Sequence, residues 1–197
     1  MRTNNTEREI ILRIMRDFSK SQTITSLANA LKKSRVAVWK SIKKLQGRDL
    51  IIAKTMGSGK TSTSVLSLNW DNSLLAKTLS VYLTERALEE RRWRVNFTEL
   101  EKQANFVILF GSILHSPKDA KDIDLIIVAP KENFKKLHEI ISKIQLSLDK
   151  KVHSFIFTEN EFKLELKREN KAFIDALKKG VILFGQEEFI KFISVIK

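Results

Sequence analysis

The chain has 197 residues, 43% hydrophobic and 30% charged, with a net charge of +13 and no cysteine. That length holds one ordinary domain or two small ones. The missing cysteines exclude a disulfide framework, cysteine-ligated zinc, iron–sulfur clusters and a thiol nucleophile. The charge is segregated: residues 1–70 carry 14 Lys and Arg against 4 Asp and Glu, a net +10, while residues 71–197 carry only +3. A basic excess in one third of the chain points to a polyanion-binding module joined to something nearly neutral.

The segment TEREIILRIMRDFSK sets Ile10, Ile11, Ile14 and Phe18 at helical spacing, with Thr6 as the expected N-cap. ITSLANALKK reads as a short helix capped by Thr25, with Leu27, Ala28 and Leu31 turned inward. A third helix opens on Ser34, with Val38, Ile42 and Leu45 on one face and Arg35, Trp39, Lys40, Lys43 and Lys44 on the other; Gly47 ends it. LIIAKT and VLSLNW then read as two strands.

The turn between those strands, TMGSGKTSTS, contains the Gly-Lys-Thr that ends a phosphate-binding P-loop. The full motif needs a first glycine five residues before the second, and that position is Lys54. It also needs a helix afterwards, whereas the β-branched, serine-rich continuation predicts a strand, so the loop is read as a hairpin turn.

Helix, helix, short turn, basic helix and hairpin follow one another in the order of a winged helix-turn-helix domain. SLANALKKSRVAVWKSIKKLQGRDLI resembles the bacterial and archaeal winged-helix regulators, with Ala28 as the small packing residue of one helix and Leu45 closing the next. The resemblance covers residues 6–70. It implies a third helix that enters the major groove of double-stranded DNA, with Arg35, Val36, Trp39, Lys40, Lys43 and Lys44 facing the duplex. The turn becomes the wing, where Ser58, Lys60 and Thr61 meet DNA phosphates or the minor groove. The competing reading makes the lysines a solvated helix surface and the domain a protein-contact module.

Residues 71–95 contain no Pro or Gly and repeat leucine at 74, 75, 79, 83 and 88, which predicts a helix of about 22 residues, roughly 33 Å long, capped by Asp71 or Asn72. Three roles suit it: rigid connector, dimer helix or first helix of the second domain. The RRWR run at 91–94 is either a solvated last turn or a further nucleic-acid contact.

In ANFVILFGSILHSPKDAKDIDLIIVAP, two apolar runs read as buried strands. Asp122 and Asp124 flank Ile123 at the start of the second, so both carboxylates leave one face, about 6–7 Å apart at Cα. Such a pair is unfavourable unless it holds a cation or keeps a proton. The remaining chain predicts an amphipathic helix over KENFKKLHEIISKIQLSL, a strand over KVHSFIFT, one or two helices over NEFKLELKRENKAFIDALKKG and a short apolar strand or packing segment at VILFG.

The hydrophobic strand, Gly-Ser and Asp-x-Asp resemble the nucleotidyltransferase superfamily of the DNA polymerase beta type, in its minimal members. ALKKGVILFGQEEF resembles the closing segment of those domains, so the likeness spans about 105–190. It implies that Gly111 and Ser112 hold a nucleoside triphosphate and that Asp122 and Asp124 bind Mg2+. The family's third carboxylate matches His153 here, a candidate metal ligand or base, while Asp149 lies four residues away; the family's usual arginine is replaced by His115. His138 is expected on a helix surface.

The expected fold is therefore α+β: a winged helix-turn-helix domain over 1–70, a connecting helix over 71–95 and a small α/β nucleotidyltransferase-like domain with a mixed sheet over 96–197. Two functions fit: a DNA-binding protein that transfers a nucleoside monophosphate from Mg-NTP to an acceptor, or a non-catalytic regulator whose degenerate second domain binds nucleotide or mediates assembly. Homodimerisation is expected because helix-turn-helix proteins usually read two half-sites. No apolar run reaches the ~20 residues of a membrane span and no signal-peptide profile opens the chain, so a membrane partner is not expected and a cytoplasmic location is.

Overall fold

Hydroxyl side chains decide where two of the first three helices begin. In the computed structural model, which describes residues 5–17, 21–57 and 63–196, these are α1 (Asn5–Arg16), α2 (Ile24–Leu31) and α3 (Arg35–Gly47). Ser34 caps α3 by accepting from the Ala37 amide at 3.2 Å, as its position predicts. The cap of α2 is Thr23 rather than Thr25. Thr23 and Ser26 exchange reciprocal hydrogen bonds in a capping box, while Thr25 lies inside the helix. Thr6 also lies within its helix, and its hydroxyl accepts from Lys33 Nζ at 3.0 Å.

These helices bury Ile10, Ile11, Ile14, Met15, Leu27, Ala28, Val38, Ile42 and Leu45, together with Leu50, Ile51, Leu66 and Leu68 at the base of a hairpin. Leu31 is only half-buried and Phe18 lies outside the described residues. The hairpin pairs β1 (Ile51–Met56) antiparallel with β2 (Thr63–Leu68), and Gln22 adds a one-residue bridge to Leu66. This is a winged helix-turn-helix. The Gly59–Lys60–Thr61 segment lies outside the described residues, and the described chain resumes at Thr63 as a strand rather than the helix a P-loop requires.

The chain divides into two compact units between Leu79 and Ser80. That division falls inside α4 (Ser73–Glu89), whose first turn Asn72 caps by accepting from the Leu74 amide. The single long helix expected over 71–95 is broken at Glu90, and α5 (Arg91–Asn96) follows as a separate turn. Leu75, Leu79, Tyr82, Leu83 and Ala87 form the buried row of α4, spaced by three or four residues; Leu74 and Leu88 fall off it and are exposed.

In the second unit, β3 (Phe106–Phe110), β4 (Asp122–Val128), β5 (Lys151–Phe157) and β6 (Val181–Phe184) form a mixed sheet in the order β5-β4-β3-β6. β3 runs antiparallel to β4 and β6, while β4 and β5 are parallel. The parallel step needs a crossover, which α6 (Phe134–Gln145) supplies. VILFG thus contributes a true strand. One sheet face buries Val107, Leu109, Ile123, Leu125 and Ile127 in a cluster with Trp93, Phe97 and Leu137. Toward the other face, Phe106 and Phe157 meet Phe162 of α7 (Glu159–Lys167), and Phe162 also contacts Phe173 of α8 (Lys171–Lys179) and Phe192 of α9 (Gln186–Ile196). The helical stretch after β5 is two helices, because Glu169 adopts a left-handed backbone and Asn170 starts α8 afresh.

Phe162 has no exposed surface and makes ring contacts with four other phenylalanines. Phe162→Ala is expected to cost about 3–5 kcal/mol, whereas truncating the exposed Leu164 to Ala in the same helix costs under about 0.5 kcal/mol. Urea unfolding of the two variants measures the contrast.

Candidate functional site

The pairing of β4 with β5 sets Asp124 directly opposite His153 and Asp122 opposite Lys151. Cross-strand partners share a sheet face, so the imidazole emerges beside both carboxylates. Its Nδ1 lies 3.5 Å from Asp122 Oδ2 and 3.6 Å from Asp124 Oδ1, and one ligand atom from each of the three residues lies within 4.8 Å of the others. Ile123 and Leu125 are fully buried on the opposite face, which holds the aspartates where they are. Among the described residues, no lysine or arginine lies within ion-pair distance of Asp122 or Asp124; His153 is their neighbour.

Gly111 explains the Gly-Ser corner. It ends β3 at φ 86°, and a Cβ there would lie 2.3 Å from Asp124 Oδ2. Only glycine lets the backbone pass this close to the carboxylate. Ser112 follows, exposed, at the start of a short 3₁₀ turn, Ser112–Leu114. Partial burial, and then the charge of Asp122, push the Asp124 carboxyl above its ordinary value of 3.8, against the opposing pull of His153.

The donors fit a divalent cation. Two ligands bonded to one ion at about 2.1 Å stand about 3.0–3.5 Å apart, and the nitrogen–oxygen separations here are 3.5 and 3.6 Å. The unbalanced charge at Asp124 is what a cation would relieve. His115, His138 and Asp149 stand outside this cluster; Asp149 lines a separate cavity of about 420 Å³ with Arg92, Lys121 and Lys150. The sequence reading passed over Phe155, which leaves β5 on the same side as His153, two residues on. It is exposed, and its ring lies 6.4 Å from that of Phe110, making an apolar shelf beside the carboxylates. Its signal was the i+2 spacing from His153.

In the first unit, Val38, Ser41, Ile42 and Leu45 of α3 are buried. At about 100° per residue, Val36, Trp39, Lys40 and Lys43 share an arc of roughly 100° on the opposite side, and all four are exposed. Arg35 and Lys44 flank that arc. Lys44 stands at its α1 edge, where its Nζ lies 4.0 Å from the buried Glu7, which Arg48 also approaches at 3.8 Å. Glu7 thus helps hold α3 against α1, a role with no motif to announce it. Ser58, Lys60 and Thr61 lie outside the described residues.

The RRWR run is neither a purely solvated turn nor a wholly free basic patch. Trp93 is buried, Arg94 donates to the Leu183 carbonyl at 2.8 Å and its guanidinium lies over the Phe184 ring, so this pair fastens α5 to β6. Arg91 and Arg92 are exposed.

No family model and no curated relative matches the chain. Among solved structures it is similar to the Lactococcus lactis ZitR C30AH42A mutant, at 17% identity and a TM-score of 0.36 over 75% of this chain and 76% of that one. The adhesin competence repressor AdcR of Streptococcus pyogenes aligns at 17% identity and a TM-score of 0.36, over 75% and 84% of the two chains. L. lactis ZitR described as a zinc-responsive MarR family member aligns at 18% and 0.34, over 75% and 77%. No helix among the described residues is long and apolar enough to cross a membrane.

Because the folded chain holds Asp124 above its ordinary pKa, the ionised form costs stability; the cost is present at neutral pH and vanishes below the unfolded-state value. Asp124→Asn is therefore expected to stabilise the metal-free protein at pH 7 by no more than about 1 kcal/mol, given solvent screening at this part-exposed position. The gain should disappear as pH falls through about 4. Chemical unfolding at a series of pH values reads it.

Proposed function

We propose that this protein is a winged-helix DNA-binding regulator whose second unit is a nucleotidyltransferase-type module that holds a divalent cation and a nucleoside triphosphate. One observation carries the DNA reading: α3 buries one face and turns Val36, Trp39, Lys40 and Lys43 outward together in a segment of net charge +10. A helix fits the major groove, where lysines meet phosphates and the exposed indole and valine meet base edges. Homodimerisation belongs to the same reading, since two copies present two recognition helices to two half-sites.

Binding to duplex DNA should weaken steeply as salt rises, because each lysine–phosphate contact releases counterions. Lys40→Ala and Lys43→Ala should each weaken binding and lower the log–log salt slope by about 1. Gel retardation across a salt series measures both, and a wild-type chain that fails to retard duplex at low ionic strength removes the DNA reading.

For the second unit, Asp122, Asp124 and His153 would hold the cation, which when bound would supply positive charge to the triphosphate. Gly111 and Ser112 would position the phosphates, and the Phe110–Phe155 shelf would offer a surface for the base. A second reading is nucleotidyl transfer: an acceptor oxygen bonds to the α-phosphorus, the bond to the β-phosphate oxygen breaks, and pyrophosphate leaves. The triad's close grouping on the glycine corner favours it; in this reading His153 would leave the cation to the two aspartates and its uncoordinated imidazole would accept the proton of the acceptor hydroxyl. Incubation with α-phosphate-labelled NTP and a divalent cation separates the two readings. Transfer predicts labelled acceptor and pyrophosphate with the wild type and neither with Asp122→Ala/Asp124→Ala. The regulator reading predicts nucleotide binding that the double variant loses, with no pyrophosphate from either protein.

A further inference from the structure

We infer that His153 makes the Asp122–Asp124–His153 cluster select a first-row transition cation, in the series from Mn2+ to Zn2+, over Mg2+. This rests on the reading above that the cluster holds a divalent cation, and it adds which kind. The donor set is the ground for it. Two carboxylates offer oxygen, which any hard divalent ion accepts, but the third donor is an imidazole nitrogen that faces one oxygen of each aspartate at 3.5 and 3.6 Å. Magnesium is bound through carboxylates, phosphates and retained waters, and gains little from nitrogen. Imidazole is a good ligand for first-row transition ions, whose affinity for nitrogen and oxygen sites rises from Mn2+ toward the end of the series.

The position of the nitrogen is built into the sheet. Asp124 and His153 are register partners of a parallel pair in which Ile123, between the aspartates, is fully buried. A one-residue slip of β5 would carry the imidazole to the other face. The cluster also has no competing cation: neither aspartate has a lysine or arginine within ion-pair distance among the described residues. The cluster is part-exposed, with the three side chains 23–39% accessible, so an ion can enter without unfolding.

The test uses the full chain and Mn2+ alone, followed by electron paramagnetic resonance, with Mg2+ and Zn2+ as competitors. Wild type should bind Mn2+ with ¹⁴N coupling in the spin-echo signal. Zn2+ should displace it at concentrations where Mg2+ does not. His153→Asp, checked for folding by circular dichroism, should lose the nitrogen coupling and shift the Mn2+-to-Mg2+ preference toward Mg2+ by about tenfold or more. Bound Mn2+ without nitrogen coupling, or a preference unchanged in His153→Asp, overturns this inference while the cation-site reading survives. Absence of Mn2+ binding to the wild type, or equal binding by Asp122→Asn/Asp124→Asn, overturns both.

Discussion

Electrostatic repulsion between two carboxylates on alternate residues of one strand is the constraint around which the second unit is arranged. Burial of Ile123 and Leu125 forces Asp122 and Asp124 onto the same side. The fold could have answered with an arginine or lysine salt bridge, but instead it sets the imidazole of His153 opposite Asp124, and Gly111 brings backbone against the same carboxylate with no side chain in the way. Partial burial first, and the charge of Asp122 second, leave the carboxyl of Asp124 above its ordinary pKa. A cation bound beside it would offset the cost of keeping it ionised.

The first unit uses the opposite sign. Its third helix, α3, is cationic outward and is held inward by Val38, Ile42 and Leu45, with the buried Glu7 drawing Lys44 and Arg48 toward α1. Polyphosphate chemistry suits both units, by different routes. In the proposed reading DNA would meet the lysines of α3 directly, whereas a nucleotide would reach the aspartates only with a cation to offset their charge. The net +10 of residues 1–70 matches the first route, whereas the second follows from the local pair Asp122 and Asp124 in a part of the chain whose net charge is only +3.

Much of this was legible before any coordinates. Period-2 alternation across DIDLIIV put both aspartates on one face, and Ser34 and the Val38–Ile42–Leu45 row located α3 and its outward side. The misreadings share a cause. Thr23 and Thr25 are equally good caps by chemistry, and the bridge from Gln22 to Leu66 made the chain extended up to Thr23 and chose it. Nothing local breaks 71–95, yet the helix stops at Glu90, and the next turn carries Trp93 and Phe97 into the core cluster beside the sheet. Arg94 looked like surface charge until β6 came beside it, and β6 lies 89 residues farther along.

By itself, the sequence determined the things that depend on near neighbours: helix and strand periods, the caps at Ser34 and Asn72, the sign of each part's charge and which residue types could bind phosphate or metal. Tertiary structure alone decided which distant groups meet. The register of β4 with β5 turned His153 from a substitution in a pattern into the third donor of a cluster, and the close passage of β3 gave Gly111 its reason. Such meetings are set by buried side chains packing across a sheet, an energy summed over residues far apart in the chain, and no local pattern records it.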